Sequence, residues 1–184
     1  EHVSSRIKSK ESIYKKLKKK GLEPTYENLV KTINDIAGIR IVCSFIPDIY
    51  KIVEMFENMN DITVIKKKDY VTTPKPSGYS SYHLIISVPV SLSVGTINVK
   101  VEIQIRTMAM DFWASLEHKI NYKYDKQIPK GIKKELKECA KMTQKLDKRM
   151  SHLGRNLMEE EKQIVKEITA EYATVYTTAL LTSN

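Results

Sequence analysis

The sequence predicts an α+β fold: a mixed, mostly antiparallel β-sheet flanked by helices, followed by a C-terminal helical tail. Three observations predict it. Val99 to Arg106 (V-K-V-E-I-Q-I-R) alternates without error. Val99, Val101, Ile103 and Ile105 point one way, and Lys100, Glu102, Gln104 and Arg106 the other, as in a half-buried strand. Residues 36–45 (I-A-G-I-R-I-V-C-S-F) form the β-branched, apolar run of a buried strand. Finally, Ile132, Leu136, Cys139, Thr143, Leu146, Met150, Leu153 and Leu157 follow the 4-3 spacing of a helical seam.

Residues 4–20 read as a basic helix, capped by Ser4 or Ser5 and stopped by Gly21. Its lysine run at 15–20 suits a solvated face. The buried strand at 36–45 follows. Pro47 and Asp48 then open a helix that carries Ile49, Ile52, Val53, Phe56 and Met59 on one side. Ile62 to Ile65 is a short strand. Residues 69–80 are a loop, punctuated by Pro74, Pro76 and Gly78. Tyr82 to Val88 and residues 96–106 are the next strands, with Gly95 in the hairpin between them. From Met108 to Tyr122 a helix presents Phe112, Leu116 and Ile120 as its apolar stripe. Pro129 and Gly131 break the chain before the seam helix, and 161–180 continue as helix with Ile164, Ile168, Tyr172 and Val175. Two units result: a sheet-bearing domain over 1–128, and C-terminal helices over 129–184 whose seam points to self-association.

A chain of 184 residues suits one well-cored domain. Lys and Arg outnumber Asp and Glu by 31 to 22, a net charge of +9, which points to an anionic partner: a nucleotide, RNA or phosphate. Cys43 and Cys139 are too few for a disulfide framework, and the chain reads as cytoplasmic. With no run of 18 apolar residues, no membrane span is expected. The chain starts at Glu1 without Met, which leaves room for upstream residues.

The common phosphate-binding signatures G-x-x-x-x-G-K-[ST] and G-x-G-x-x-G are absent. A nucleotide site must therefore be built from side chains on a sheet. The histidines 2, 83, 118 and 152 have no metal-ligand spacing. Asp35 and Glu102 sit beside or within strands, and two carboxylates on adjacent strands can hold one Mg²⁺ together with phosphate oxygens. Arg40, Arg106, Lys66, Lys68 and Lys75 are cations suited to phosphates. Tyr79 offers a ring for stacking and His83 lies on a strand face. On the residues alone each has a plainer reading: a solvated sheet face, a turn cap at Asp35, a scaffold tyrosine, a structural histidine.

The stretches D-I-A-G-I-R (35–40), K-x-K-D-Y (66–70), K-P-S-G-Y-S-S-Y-H (75–83), V-E-I-Q-I-R-T (101–107) and M-D-F-W-A-S-L-E-H-K (110–119) tip that balance. In this order they resemble the synthetase domain of the RelA/SpoT family, over residues from Arg6 to Tyr124. With no other domain read, the chain is similar to the family's small alarmone synthetases. The resemblance implies a nucleotidyltransferase-like synthetase fold over 1–128. It implies a GTP pyrophosphokinase that moves the β,γ-pyrophosphate of ATP to the ribose 3′-OH of GDP or GTP, with Mg²⁺ as cofactor. Asp35 and Glu102 match the metal ligands, Glu102 also the group that takes the 3′-OH proton, and Gln104 its partner. Arg6 and Arg40 match the pair that sandwiches adenine. Lys8 and Ser12 match positions that reach the ATP phosphates. Lys68, Lys75 and His83 fit the acceptor side, Tyr79 the guanine stacker, whose ring rather than hydroxyl matters, and Asp111 the reader of the guanine edge. Ser80 stands where the family often has Arg, which removes one phosphate contact. The resemblance further implies a homotetramer and leaves room for the (p)ppGpp product as an allosteric effector, while the four scattered histidines supply no His-Asp cluster for the alarmone hydrolase of long relatives. A second reading from another class keeps single-stranded RNA as partner, with the lysine-rich helix as its footprint.

Overall fold

The structure is a computed structural model that describes the backbone of residues 2–93, 95–124 and 127–182, and their side chains apart from those of Tyr26, Met158 and 170–182. The described residues form strands β1 (His2–Ile7), β2 (Ala37–Cys43), β3 (Thr63–Asp69), β4 (Tyr82–Leu92) and β5 (Gly95–Thr107). The helices are α1 (Lys10–Lys19), α2 (Tyr26–Thr32), α3 (Ile46–Glu57), α4 (Met108–Lys123) and α5 (Lys130–Thr182). One sheet runs in the order β1-β2-β5-β4-β3. β2 and β5 are parallel, and the other pairings are antiparallel.

β5 is central, so both of its faces are used. Its apolar row, Val101, Ile103 and Ile105, lies level with Ile39 and Ile41 of β2 and with Leu84 and Ile86 of β4. Ile49 and Val53 of α3 close over that row to make the main core. Each fully buried member, such as Ile49, Leu84, Ile103 and Ile105, contributes about 1.5–3 kcal/mol. Asp48 fixes where α3 starts: its carboxylate accepts the Phe45 N–H at 3.2 Å, and Pro47 pre-sets the first turn. A second small core joins α1 and α2 through Ile13, Leu17 and Ile33.

The structure corrects three elements. Residues 4–20 are not one helix: His2–Ile7 pairs along the open edge of β2, and α1 is capped by Ser9, whose hydroxyl accepts the Ser12 N–H. The register with β2 supplies backbone partners that a helix over Ser4 and Ser5 would forgo. Gly21, at φ 69°, does follow the end of α1. A helix over Tyr26–Thr32, capped by Thr25, goes unread in the sequence. On α4 the inward stripe is Met110, Trp113 and Ala114, while Phe112 is 66% exposed and Leu116 is exposed. Apolar residues encircle the start of α4, so periodicity alone does not choose a face.

A single helix, α5, runs from Lys130, and its inner face is small and polar. Ala140, Asp147, Ser151 and Gly154 are buried, whereas the seam residues Leu146 (56% exposed), Met150, Leu153 and Leu157 point away from the sheet. The Thr107 hydroxyl donates to Asp147 Oδ2 at 2.6 Å and accepts the Met110 N–H, capping α4. Ser151 Oγ accepts the Ile46 N–H at 3.1 Å at the start of α3. Gly154 lies under the Phe45 ring, which a Cβ there would meet at 2.6 Å. Burial pushes the Asp147 carboxyl above its ordinary range, and the Thr107 bond pulls the other way. The side chains of Tyr172 and Val175 lie outside the described residues. Among the described residues, no helix is long and apolar enough to cross a membrane.

Candidate active site

Strand register assembles the site on the sheet face opposite α3. Arg6, Gly38, Glu102, Ile85 and Lys66 form one cross-strand row. Ser4, Arg40, Gln104, His83 and Lys68 form the next. Residues level with one another on neighbouring strands share a face. A cavity of about 140 Å³ opens over these rows, lined by Ser4, Ser5, Arg6, Asp35, Arg40, Glu102 and Gln104. A second, of about 400 Å³, lies between the sheet and α4, lined by Arg6, Arg40, Tyr79, Gln104 and Arg106 and by Ser115, Glu117, His118 and Lys119. Arg6, Arg40 and Gln104 line both, so the two are lobes of one cleft. The buried Arg40 Nε has no protein partner and is a donor available to a ligand there.

Two chains of contacts converge on Glu102. The buried Arg106 guanidinium, 4% exposed, donates to Gln104 Oε1 at 2.8 Å, and Gln104 Nε2 donates to Glu102 Oε2 at 3.2 Å. Arg106 also donates to the Tyr79 hydroxyl at 2.7 Å, that hydroxyl meets His83 Nε2 at 2.9 Å, and His83 Nδ1 lies 3.4 Å from Glu102 Oε1. The tautomer with the proton on Nδ1 satisfies every member: Tyr79 donates to Nε2, and Nδ1–H faces the carboxylate. His83 is the main cause that holds Glu102 below the ordinary carboxylate range. Burial opposes it, and Gln104 adds to it. Glu102 is therefore ionised at neutral pH. Arg106 spends its remaining donors on Ser81 Oγ and on Asp111 Oδ1 at 3.0 Å.

Asp35, just before β2, is ion-paired with Lys8 and, at 2.8 Å, with Lys16. Burial raises its carboxyl, but the two lysines outweigh that and hold it low. Mg²⁺ can be tested against this geometry. Asp35 and Glu102 line one cavity, and the Asp35 charge pulls the Glu102 carboxyl upward, against the stronger lowering by His83. Among the described residues, no cluster of three or more His, Cys, Asp or Glu could hold a metal. The donor set is thus two carboxylates, with the remaining positions open to water or phosphate oxygens. That composition fits Mg²⁺.

The structure brings Arg6, Asp35, Arg40, Glu102, Gln104 and Tyr79 to the cleft. His83 and Asp111 stand behind that lining, His83 against Glu102 and Asp111 between Arg106 and Arg40. Lys75 lies over two rings, 4.5 Å from the Tyr79 centroid and 4.7 Å from that of Tyr70. Lys68 stands level with His83 on β3, outside the lining residues of either lobe. Ser12 bonds to Ser9 in the first turn of α1, away from the cleft lining, and Lys8 is held by Asp35. Two sequence readings change. Arg106 is a buried organiser rather than a phosphate cation. The Tyr79 hydroxyl is engaged on both sides, so it helps to place the ring. Given no site role by the sequence are Lys16, which pairs with Asp35, and Ser115, His118 and Lys119, which lie in the quoted 110–119 stretch and line the second lobe. Ser115 and His118 follow Asp111 by four and seven residues, a helical spacing that could have exposed them.

A mixed sheet with a two-carboxylate cleft on one face and apolar helix packing on the other defines the class: an α+β domain with a polar cleft on its open sheet face. A family model described as a region found in RelA / SpoT proteins matches residues 5–127, and the chain belongs to that family. Over 129 residues it is 56% identical to the GTP pyrophosphokinase YwaC of Bacillus subtilis, covering 70% of this chain and 61% of that protein. It is 46% identical over 129 residues to the GTP pyrophosphokinase YjbM of the same organism, covering 70% and 60%. The chain thus spans about three fifths of the length of these curated relatives. Among solved structures, the small alarmone synthetase 1 from Bacillus subtilis bound to its product pppGpp superposes with a TM-score of 0.79. Its identity is 40%, and the match covers 85% of this chain and 79% of that one.

Proposed function

We propose that this domain is a cytoplasmic GTP pyrophosphokinase that transfers the β,γ-pyrophosphate of ATP to the ribose 3′-OH of GDP or GTP, releasing AMP and forming ppGpp or pppGpp. The observation that carries the reading is the convergence on Glu102, an ionised carboxylate at the floor of a cleft walled by two arginines and a tyrosine. Arg6 and Arg40 flank the adenine of ATP. Tyr79 stacks on the guanine, a contact of about 1–3 kcal/mol, and Asp111 reads its edge. Lys8, beside Asp35, takes the ATP phosphates, and Lys75, over the Tyr79 ring, those of the acceptor. The 3′-oxygen bonds to the β-phosphorus as the bond from that phosphorus to the α–β bridging oxygen breaks. AMP leaves with that oxygen and its electron pair. The 3′-OH proton passes to Glu102, oriented by Gln104 and His83. A carboxylate with a lowered pKa is a weak base, so alignment and charge neutralisation carry most of the rate. Asp35 and Glu102 would hold Mg²⁺, which when bound neutralises charge on the phosphate oxygens. The reaction is tested with labelled ATP and each guanine nucleotide in turn. AMP is expected only when a guanine nucleotide is present, in step with a pyrophosphorylated product. Release of ADP or free pyrophosphate instead would overturn the assignment.

The exposed seam on α5 supports self-association, with a homotetramer as the expected assembly. Leu146, Met150, Leu153 and Leu157 lie in one row that the chain's own sheet does not cover. Replacing Leu146 and Met150 with Glu is expected to lower the mass seen by light scattering while the domain stays folded. An unchanged mass would remove the seam from the assembly.

A further inference from the structure

Helix α5 also reaches the cleft from behind, at the turn that carries Tyr79. That turn closes through the Gly78 N–H to Lys75 carbonyl bond at 2.8 Å and the Lys75 N–H to Tyr79 carbonyl bond at 3.0 Å. Gly78 has φ +96°, a conformation open to glycine. Its free carbonyl accepts from Gln144 Nε2 on α5 at 3.2 Å. A Cβ at Gly78 would stand 2.4 Å from the Ala140 Cβ, so helix and turn touch with no slack. Tyr79 and Leu136 both pack against the buried cluster of Trp113, Ala114 and Ala140. Trp113, the sole tryptophan, donates its indole N–H to the Leu136 carbonyl at 3.0 Å and ties α4 to α5 at the same spot.

We propose that α5 is the back wall of the acceptor subsite, with Gln144 and Ala140 as positioning residues that set where the Tyr79 ring meets the acceptor's aromatic base. This rests on reading Tyr79 as the stacking residue. Neither residue touches the reacting groups. Each acts through the backbone of residue 78, one by holding its carbonyl and the other by filling the space beside it. The position of the base thereby depends on a helix whose opposite face is open to solvent.

The test compares steady-state kinetics and binding for the parent chain and for Gln144→Leu, Tyr79→Ala, Gly78→Ala, Ala140→Gly and the 78/140 double variant. Gln144→Leu keeps helix propensity and removes one hydrogen bond, so the KM for GDP should rise roughly 3- to 10-fold. The KM for ATP should stay within about 2-fold of the parent value, and kcat should change less than the GDP KM. Trp113 emission should match the parent spectrum, showing α5 seated, while GDP titrated against that emission binds more weakly. Gly78→Ala should damage GDP use more, and adding Ala140→Gly should restore part of it by removing the Cβ clash. An unchanged GDP KM and affinity in Gln144→Leu, beside a damaged Tyr79→Ala, overturns this inference and leaves the stacking role standing. An unchanged GDP KM in Tyr79→Ala overturns both. Equal loss for ATP and GDP in Gln144→Leu with shifted Trp113 emission would make α5 plain scaffold and also overturn the inference.

Discussion

Glu102→Gln should abolish pyrophosphate transfer and leave the fold standing. The side chain keeps its volume and lies on the polar face of β5, away from the core built by Ile103 and Ile105. What disappears is the negative charge at which the contacts from Gln104 and His83 end. A neutral amide cannot take up the 3′-OH proton, and it presents an N–H₂ group to one of two neighbours that are themselves donors. Removing one electrostatic contributor of this kind costs on the order of 3 kcal/mol of barrier or more, at least about 100-fold in kcat. Melting should fall modestly at neutral pH, where the ionised carboxylate's stabilisation is present in full, and the gap to the parent should narrow in acid. At acid pH the comparison carries a sign. The folded-state pKa of Glu102 is depressed, so its ionisation stabilises the fold above the ordinary carboxylate value of 4.5, and that contribution fades as pH falls through the lower folded value. The variant should lack that part of the acid sensitivity. Turnover within about tenfold of the parent rate would remove Glu102 from the chemistry.

Arg106→Met should be the most destabilising single change on the polar face. The guanidinium is 4% exposed and serves Ser81, Asp111, Tyr79 and Gln104 at once. It also lies 5.2 Å from the centre of the Tyr79 ring. Methionine fills similar space but leaves Asp111 with Arg40 alone, at 3.4 Å, and leaves Gln104 Oε1 without its donor. Breaking a buried ionic network from one side costs about 3–5 kcal/mol, which in a domain of this size lowers the melting temperature by on the order of 10 °C. Use of the guanine acceptor should fall with it, because the Tyr79 hydroxyl loses the donor on one side, keeping only His83, and its ring keeps only Lys75 of two nearby cations. A thermal melt that moves by only a degree or so would show that water or Arg40 replaces what Arg106 does.

The sheet was legible because its strands obey a period of two, and because one face is apolar and the other is not. β5 shows this residue by residue, and it also showed which side would carry Glu102 and Gln104. The edge strand β1 was not legible. Six exposed residues rich in Ser carry little pattern of their own and become a strand through pairing with β2. The true inner face of α5 escaped for a related reason. Ala140, Ser151 and Gly154 are small and Asp147 is charged, so none reads as core, yet small residues are what let a helix approach Gly78 and Phe45 closely. In the cleft, residue types pointed to phosphate and base chemistry but not to who bonds whom. Alternation already put Arg106 on the same side of β5 as Gln104, but only the turn at Gly78 brings the Tyr79 hydroxyl to it, and only α4 brings Asp111.

The two chains from Arg106 to Glu102 share a direction. With the His83 proton on Nδ1, every link has its hydrogen aimed at the carboxylate: guanidinium to amide to Glu102 on one side, guanidinium to phenol to imidazole to Glu102 on the other. Proton hopping away from Glu102 would need a free lone pair on the next member, and both neighbours present N–H. Flipping Gln104 or shifting the His83 tautomer would break a link on each side of that residue. The arrangement acts as a one-way valve. Glu102 is held anionic from behind, and any proton it acquires has one exit, forward into the cleft toward solvent or the departing products.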